Sequence, residues 1–278
     1  MPNLRQLLAD AAAELERAHI AEPRLTAEIL LAHGIGQERS YLYAHPEMQL
    51  PPPCEARARA AIAARAGGTP LQYVTGEQDF YGRSFTVSPA VLIPRPETGM
   101  VVEAALERMP ASAAMRIVDV GTGSGCIAIT LALERPHARV TATDLSPGAL
   151  AVARSNATRL GARVGFVVAD LLTPLTGGLD LIVSNPPYVA ENDLATLQPE
   201  VRDHEPHLAL TSGPKGSEIY ERLIPQAHGA LRPGGWIVLE LGYDSAPHVI
   251  ALLQHSGWHD IETRRDALGW QRVATARR

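Results

Sequence analysis

Two cysteines, one lysine and the lack of a long apolar run limit what this 278-residue chain can be. Cys54 and Cys126 are far apart in the sequence and fit neither a disulfide framework nor a zinc cluster. No uninterrupted apolar run reaches the roughly 18 residues that a membrane-spanning helix needs. The first twenty residues carry Asp10, Glu14 and Glu16 and lack the apolar core of a secretory signal. A reducing, cytoplasmic setting is therefore expected, with no membrane partner.

Positive charge is also scarce. The net charge is −5, Lys215 is the single lysine, and no run of basic residues stands out. A protein that coats nucleic acid is therefore disfavoured, and we expect no direct nucleic-acid partner. The chain is rich instead in hydrophobic residues, at 46%, which is enough for one large domain or for a large and a smaller one.

The first 75 residues predict a small helical domain. Between residues 4 and 18, apolar side chains recur on one helical face among strong helix formers. A second helix is predicted over 23–33, ending at Gly34, and a third over 55–66. The pattern changes after these helices, so a domain boundary is expected near residue 75.

Residues 76–97 alternate apolar and polar positions around Gly82, which predicts a β-hairpin connector. From residue 98 to 278, helical and strand patterns alternate, which predicts an α/β domain with a mostly parallel, twisted sheet. The predicted strands are 115–120, 139–144, 163–170, 179–184 and 235–242. The predicted helices include 98–109, 126–135, 147–160 and 218–231. The last two extended segments, 259–266 and 269–277, predict one antiparallel edge strand.

A glycine-rich turn joins the first predicted strand of this domain to a helix, in the sequence VDVGTGSGCIAIT (118–130). Glycines let the backbone turn tightly and let a ligand approach it closely. The dinucleotide pattern G-x-G-x-x-G fails because residue 126 is cysteine, and a phosphate-binding P-loop fails because no Gly-Lys-Ser/Thr follows. The remaining spacing, G-x-G-x-G, resembles motif I of class I S-adenosylmethionine-dependent methyltransferases, in which the loop packs against the methionine and ribose parts of the cofactor.

Acidic residues follow the next two predicted strands. Asp144 ends the second strand, 23 residues after Gly121, where a carboxylate can accept both ribose hydroxyls of a nucleoside. The alternative is that Asp144 only caps the helix that opens at Ser146-Pro147. Asp170 and Leu171 end the third strand and are predicted to border an adenine, the first near its exocyclic amine and the second against its ring. An ordinary strand-end turn is the alternative there.

The sequence SNPPY, residues 184–188, follows the apolar strand 179–184. Two consecutive prolines end a strand and fix the chain in an extended shape. In open α/β sheets ligands bind beyond the carboxyl ends of the strands, and the glycine loop lies at that same edge. This turn is therefore predicted to face the ligand, although Asn-Pro-Pro is also an ordinary strand-ending turn.

The residue types in this turn suit a planar NH₂ group next to a π-system, as in an amide or an aromatic amine, as the methyl acceptor. Such a nitrogen is a poor nucleophile because its lone pair is delocalised. The side-chain carbonyl of Asn185 and the backbone carbonyl of Pro186 can accept its two N–H groups, and Tyr188 offers a flat face for stacking. The prolines hold these acceptors in place, so little reorganisation is needed on binding. No strong general base is required, because the nitrogen becomes acidic once it is methylated.

Several segments together resemble the PrmC/HemK protein-glutamine N5-methyltransferases. They are DVGTGSG, NPPY, FYGRSFTVSPAVLIPRPET, GTPLQYVTGEQDFYG and EVRDHEPHLALTSG, and with the helical N-terminal domain they cover nearly the whole chain. The resemblance implies a class I (Rossmann-like) methyltransferase that uses S-adenosylmethionine to methylate the glutamine of the Gly-Gly-Gln motif in peptide chain release factors. NPPY alone is shared with adenine-N6 DNA and guanine-N2 RNA methyltransferases, so a nucleic-acid methyltransferase is the alternative. A binding module without turnover is a second alternative, which the intact NPPY disfavours.

The resemblance also implies a role for each matching position. The implied catalytic residues are Asn185, Pro186 and Tyr188. The implied cofactor-binding residues are Gly121, Thr122, Gly123, Ser124, Gly125, Asp144, Asp170, Leu171 and Asn185. The implied substrate-binding residues are Asn185, Pro186, Pro187, Tyr188, Arg95 and Glu97, and the helical domain would dock the release factor. The chain departs from the family pattern at two positions: Gly99 replaces a usual glutamate, and Leu171 replaces an aromatic residue of some relatives.

Other polar groups of the sequence have plainer interpretations. His204 and His207 are three residues apart, but the intervening proline and the lack of a third ligand nearby favour a surface loop, so no metal is expected. The acidic residues near NPPY could hold a lid, attract a basic partner or lie in a solvated loop; they are Glu200, Asp203 and Glu205.

Overall fold

A computed structural model of the chain describes residues 2–173, 175 and 177–278. The chain forms two compact units. The first comprises the residues up to Glu77 together with Gln198–His204, and the second comprises Gln78–Leu197 and Glu205–Arg278. The finer division into 1–75, 76–97 and 98–278 stays a prediction. No helix among the described residues is long and apolar enough to cross a bilayer.

The first unit is helical. Its helices are α1 (Leu4–Arg17), α2 (Pro23–Ile35), α3 (Arg39–Ala44), α4 (Pro52–Ala66) and α5 (Leu71–Thr75). Asn3 caps α1 by accepting from the Gln6 N–H, and the Gln6 side chain accepts in return from the Asn3 N–H. The core is rich in buried leucines, including Leu4, Leu7, Leu15, Leu30 and Leu31. The three long helices were predicted, whereas the short α3 and α5 were not.

The prediction that Gly34 ends the second helix is wrong. Helix α2 continues to Ile35 and ends at Gly36, whose φ of +67° is the left-handed conformation typical of a helix end. Gly34 lies instead where α2 meets α4, and a Cβ added to it would be 2.7 Å from the Cα of Ala58. This glycine therefore allows two helices to pack closely, a tertiary role that local sequence does not reveal.

The second unit opens with the predicted hairpin. Strands β1 (Glu77–Phe80) and β2 (Arg83–Thr86) pair across the turn at Gly82, and Phe80 and Phe85 are both buried. A 3-10 turn (Pro96–Thr98) then leads into α6 (Gly99–Glu107). This segment brings Arg95 and Thr98 to the edge of the main sheet.

A seven-stranded sheet forms the centre of this unit. Its strands along the chain are β3 (Arg116–Val120), β4 (Arg139–Asp144), β5 (Val164–Val168), β6 (Leu179–Ser184), β9 (Leu231–Glu240), β10 (His259–Arg265) and β11 (Gln271–Arg277). Their spatial order is β10-β11-β9-β6-β3-β4-β5. The helices around it are α6, α7 (Cys126–Glu134), α8 (Pro147–Leu160), α11 (Glu218–Ala230) and α12 (Ala246–His255). The mostly parallel α/β fold was predicted and is confirmed.

The predicted antiparallel pairing at the edge of the sheet is confirmed, and it involves both of the last two strands. Strand β11 runs against both of its neighbours, but it lies between β9 and β10, and β10 forms the edge. Val273 and Ala274 of β11 are fully buried, so this strand is part of the core. The hairpin connection between the last two strands is local, but which of them pairs with β9 is decided by packing across the whole sheet.

Helices cover both faces of the sheet, as the residues of β3 show. Ile117 faces a core formed with α6 and α7, whereas Val118 faces a core formed with α11 and α12. The carboxyl ends of β3, β4 and β6 meet at one edge, because Val120 is in register with both Thr143 and Ser184. The segments that directly follow these three strands therefore lie close together at this edge.

Short elements that the sequence did not predict follow the NPPY turn. They are β7 (Val189–Ala190), a 3-10 segment (Glu191–Thr196), α9 (Pro199–His204), α10 (His207–Leu210) and β8 (Thr211–Gly213). Strands β7 and β8 pair in parallel to form a small second sheet. They are too short for hydrophobic periodicity to reveal them.

The contact at Gly34 leads to a stability prediction. Gly34→Ala is expected to lower the free energy of unfolding by about 1–3 kcal/mol, because the added methyl group meets backbone that must shift. Gly229 is the matched control: it is exposed in the last turn of α11, and an added Cβ has no described atom within 4 Å. Gly229→Ala should instead stabilise by about 0.5–1 kcal/mol. Urea unfolding of both variants measures this, and equal stabilities would contradict the close packing.

Candidate active site

A cavity lies beyond the carboxyl ends of β3, β4 and β6, entirely within the second unit. Most of the predicted site residues line it: Gly121, Thr122, Gly123, Ser124, Asp144, Asp170, Leu171, Asn185, Pro186, Pro187 and Arg95. Gly125, Glu97 and Tyr188 lie outside the described lining. The cavity occupies the edge at which ligands bind in open α/β sheets.

The glycine loop, residues 121–125, has positive φ angles that glycine adopts at little cost: +72° at Gly121, +55° at Gly123 and +83° at Gly125. A Cβ added at Gly121 or Gly123 would have no described atom within 4 Å, so bare backbone faces the open space of the cavity. Gly125 differs, because a Cβ there would be 2.8 Å from Ile129 Cδ1. This glycine serves the close packing at the start of α7.

Asp119 supports the loop from beneath, a role that was not predicted. It is fully buried in β3, and its Oδ2 accepts hydrogen bonds from Thr122 Oγ1 at 2.6 Å and from the Ala128 N–H at 3.1 Å. Its Oδ1 has no hydrogen-bond partner among the described residues. Burial raises the pKa of Asp119 to about 7. A carboxyl inside an otherwise apolar strand was the sequence signal that could have found it.

Asp144 joins the end of β4 to both the glycine loop and the next helix. Its Oδ2 accepts from the Gly123 N–H at 2.9 Å, and its Oδ1 accepts from the Ser146 N–H at 2.8 Å. Ser146 itself caps α8, because its side chain accepts from the Ala149 N–H. Asp144 therefore does shape the turn before α8, as the plainer interpretation held. Its carboxylate also lines the cavity, where burial raises its pKa.

Asp170 and Leu171 follow β5 on the far side of the cavity. Asp170 forms an exposed ion pair with Arg222, with 2.6 Å between Oδ2 and the guanidinium nitrogen. Leu171 has a φ of +56°, which leucine rarely adopts. Its carbonyl accepts from the Thr143 hydroxyl at 3.1 Å, which holds this turn against β4. Together these contacts place an apolar side chain and a carboxylate at one wall.

The residue before the NPPY turn is fixed to the neighbouring strand. Ser184 Oγ donates to the Val120 carbonyl at 2.7 Å. The side-chain nitrogen of Asn185 donates to Thr98 Oγ1 at 3.2 Å, and Thr98 is buried. Because this bond uses the amide nitrogen, the acceptor that Asn185 retains for a ligand is Oδ1. Pro186 and Pro187 continue the wall beside it.

Tyr188 is not among the described lining residues, and it packs against β9 and the residues after it. A Cβ added at Gly242 would be 2.9 Å from the Tyr188 ring, so glycine is needed for the ring to lie there. The Tyr188 hydroxyl donates to Glu240 Oε1 at 3.5 Å, and burial raises the pKa of Tyr188. The predicted stacking of an acceptor on this ring stays a prediction, and Tyr188 is tied to a buried carboxyl that the sequence did not single out.

Arg95 binds a buried acid. Glu205 is only 4% exposed, and its carboxylate accepts from the Ile93 N–H at 3.1 Å and from the Arg95 guanidinium at 2.5 Å. The interpretation of Glu205 as part of a solvated acidic loop is therefore wrong. Glu200 pairs instead with Arg65 of the first unit, at 2.7 Å. Glu97 is exposed on the 3-10 turn.

The structure also places Cys126 and the histidines. Cys126 begins α7 as a buried thiol, and burial raises its pKa to about 12. Such a thiol is protonated at neutral pH and is not a nucleophile. Within the part of the chain that the structure describes, no group of three or more histidine, cysteine or acidic side chains is arranged to hold a metal.

Comparison with known proteins identifies the family to which this chain belongs. A family model described as the PrmC N-terminal domain matches residues 6–76, and one described as the methyltransferase small domain matches residues 101–209. A release factor glutamine methyltransferase of Koribacter versatilis is 47% identical, with 99% of this chain and 98% of that protein covered. The chain belongs to the release factor glutamine methyltransferase family. A relative of the same name from Geobacter sulfurreducens is 43% identical, with 99% and 96% covered.

A solved structure agrees with the fold of this family member. A methyltransferase from Pyrococcus furiosus superimposes with a TM-score of 0.53 at 18% identity, covering 80% of this chain and 98% of that one. One family model thus matches most of the helical unit, and the other matches part of the sheet-containing unit.

Proposed function

We propose that this chain transfers a methyl group from S-adenosylmethionine to the side-chain amide nitrogen (N5) of the glutamine in the Gly-Gly-Gln motif of peptide chain release factors, which would modulate translation termination. Relatives that carry the name of this activity match the chain over nearly its whole length. The observation that carries the proposal is the placement of Asn185, whose amide is held by Thr98 at the mouth of a cavity lined by the glycine loop.

The residues of the cavity fit this cofactor. A Cβ added at Gly121 or Gly123 would have no described atom within 4 Å, so a ligand can contact the backbone there. Asp144 uses two of its roughly four lone-pair sites on backbone N–H groups and keeps the others for ribose hydroxyls. The Leu171 side chain and Asp170 would border the adenine. When bound, the sulfonium supplies an electrophilic methyl group and leaves as S-adenosylhomocysteine.

The NPPY turn would hold the acceptor amide. Asn185 Oδ1 and the Pro186 carbonyl would accept its two N–H groups and so turn the nitrogen toward the methyl group. Because both acceptors are fixed by the prolines and by Thr98, alignment costs little on binding. Dipoles placed in advance at the nitrogen stabilise the positive charge that develops there. The methylated nitrogen then releases a proton to water, which needs no strong base.

Further residues would shape the substrate cleft. Arg95 lines the cavity and is oriented by Glu205, so it would contact the release factor from a fixed position. Pro187 would complete the pocket wall. The helical unit would dock the body of the release factor, and Glu97, which is exposed, would face it near the entrance.

A transfer assay tests the proposed function. Labelled S-adenosylmethionine is offered with a release factor, with its Gln→Ala variant at the Gly-Gly-Gln motif, and with DNA and RNA. Label is expected only in the unaltered release factor. Label in the variant as readily as in the parent, or only in nucleic acid, would contradict the proposal and favour a nucleic-acid methyltransferase. Binding of release factor without transfer of label would favour a binding module.

A further inference from the structure

A buried carboxyl stands behind the NPPY turn with no role in the mechanism given so far. Glu240 ends β9, is 3% exposed, and its Oε2 has no hydrogen-bond partner among the described residues. A buried carboxyl with one unpaired oxygen costs stability, because its hydrogen bonds do not fully repay the removal of water from it. A buried carboxyl of this kind is expected at a position where a strong hydrogen-bond acceptor is needed.

Glu240 is linked to both ends of the NPPY motif, directly at Tyr188 and through Thr98 at Asn185. At one end, the Tyr188 hydroxyl donates to Oε1 at 3.5 Å. At the other end, the Thr98 hydroxyl lies close enough to the same carboxyl to lower its pKa by hydrogen bonding, and Thr98 in turn holds Asn185. The backbone on which Glu240 sits is also fixed, because the Tyr220 hydroxyl donates to its carbonyl at 2.7 Å.

We propose that Glu240 is a positioning residue that sets the orientation of the Asn185 amide through the Thr98 hydroxyl. An ionised carboxylate only accepts hydrogen bonds, so the Thr98 proton points toward Glu240. The Thr98 oxygen must then accept from the Asn185 nitrogen, which leaves Asn185 Oδ1 for the acceptor amide. Without the carboxylate, Thr98 could donate to Oδ1 instead. The amide could then rotate and present its own N–H groups to the N–H groups of the substrate.

The orientation of the Thr98 hydroxyl depends on the charge state of Glu240. Burial raises its pKa to about 7, Glu97 adds to that rise, and Arg272, Thr98 and Tyr188 oppose it. The Arg272 charge is shared with Asp266, to which it is paired at 2.9 Å. The other titratable groups near this carboxyl are Tyr220 and Cys126, both of which are neutral at pH 7 because burial raises their pKa values.

The inference rests on the proposed function, and steady-state methylation of a release factor tests it. Glu240→Gln keeps the size of the side chain but adds a donor, and Thr98→Val removes the hydroxyl that links Glu240 to Asn185. Each variant is expected to lower kcat about 10-fold or more, with little change in KM for the release factor or in Kd for S-adenosylmethionine. Thr98→Ser keeps the hydroxyl and should restore kcat to within about threefold of wild type.

The double variant separates positioning from general damage. If Glu240 acts through Thr98, adding Glu240→Gln to Thr98→Val should lower kcat no further, since the link is already broken. Equal losses in both backgrounds would overturn the inference, as would an unchanged kcat in Glu240→Gln or a loss of cofactor affinity that matches the loss of rate. An inactive wild-type protein would instead contradict the proposed function itself, so the two failures are distinguishable.

The pH profile gives a second readout. Above pH 7 Glu240 is ionised and only accepts, whereas below it the neutral carboxyl can donate to Thr98. Wild-type kcat should therefore rise roughly tenfold between pH 6 and pH 8, in proportion to the ionised fraction of a group with a pKa of about 7. In Glu240→Gln that rise should be absent. A rise of the same size in the variant would contradict the assignment.

Discussion

Asn185→Ala is expected to lower kcat for release-factor methylation by about 10²- to 10³-fold, the loss typical of one preorganised polar group at a reacting centre. Its amide nitrogen bonds to buried Thr98, so the oxygen is the group available to an acceptor at the cavity mouth. Among the described residues, the glycine loop and Asp144 form no hydrogen bond with Asn185, and they hold their shape by other contacts. The Kd for S-adenosylmethionine should therefore change by less than about threefold.

A nearby asparagine is the matched control for this experiment. Asn192 lies seven residues further along, exposed in the 3-10 segment, and Asn192→Ala should keep wild-type kcat. Rates come from labelled methyl transfer, and cofactor affinity comes from calorimetry. If cofactor affinity in Asn185→Ala fell by the same factor as the rate, Asn185 would be a cofactor ligand first and an acceptor ligand only second.

How far the sequence reveals the fold depends on whether the signal is local. Strands β4 and β6 and helix α8 have the predicted bounds, because their signals lie within or beside each segment: apolar residues in the strands, and a serine cap and a terminal glycine at the helix. The role of Gly34 was predicted wrongly because it depends on packing against helix α4, whose Ala58 is 24 residues away in the sequence. The order of the last two strands was not predicted, because the partner of a strand is determined by packing across the whole sheet.

The candidate site divides in the same way. The glycine loop, Asp144 and Asn185 were found because each follows a strand, and parallel strands end at one edge. Glu205 and Glu240 were missed because a single acidic letter does not show that its side chain is buried beside Arg95 or Tyr188. Polar residues that act through other polar residues are therefore harder to recognise in a sequence than residues that contact the ligand directly.

Asp144→Ala is expected to raise the Kd for S-adenosylmethionine by about 10- to 100-fold, since hydrogen bonds to a charged group contribute about 1.5–3 kcal/mol. The kcat at saturating cofactor should stay within a few-fold of wild type, because Asp144 lies at the glycine loop rather than at the NPPY turn. Calorimetric titration measures the affinity. This result alone does not separate a ribose contact from the turn-forming bonds to Gly123 and Ser146.

A cofactor analogue that lacks the ribose 2′-hydroxyl makes that separation. If the Asp144 carboxylate accepts from this hydroxyl, the analogue should bind wild-type protein at least about 10-fold more weakly than the natural cofactor, and Asp144→Ala should bind the two alike. Asp144 that serves only the turn before α8 would leave the same penalty for the analogue in both proteins. The only function of Asp144 would then be to accept the two backbone hydrogen bonds from Gly123 and Ser146. The ribose would have to be held by other groups of the cavity wall.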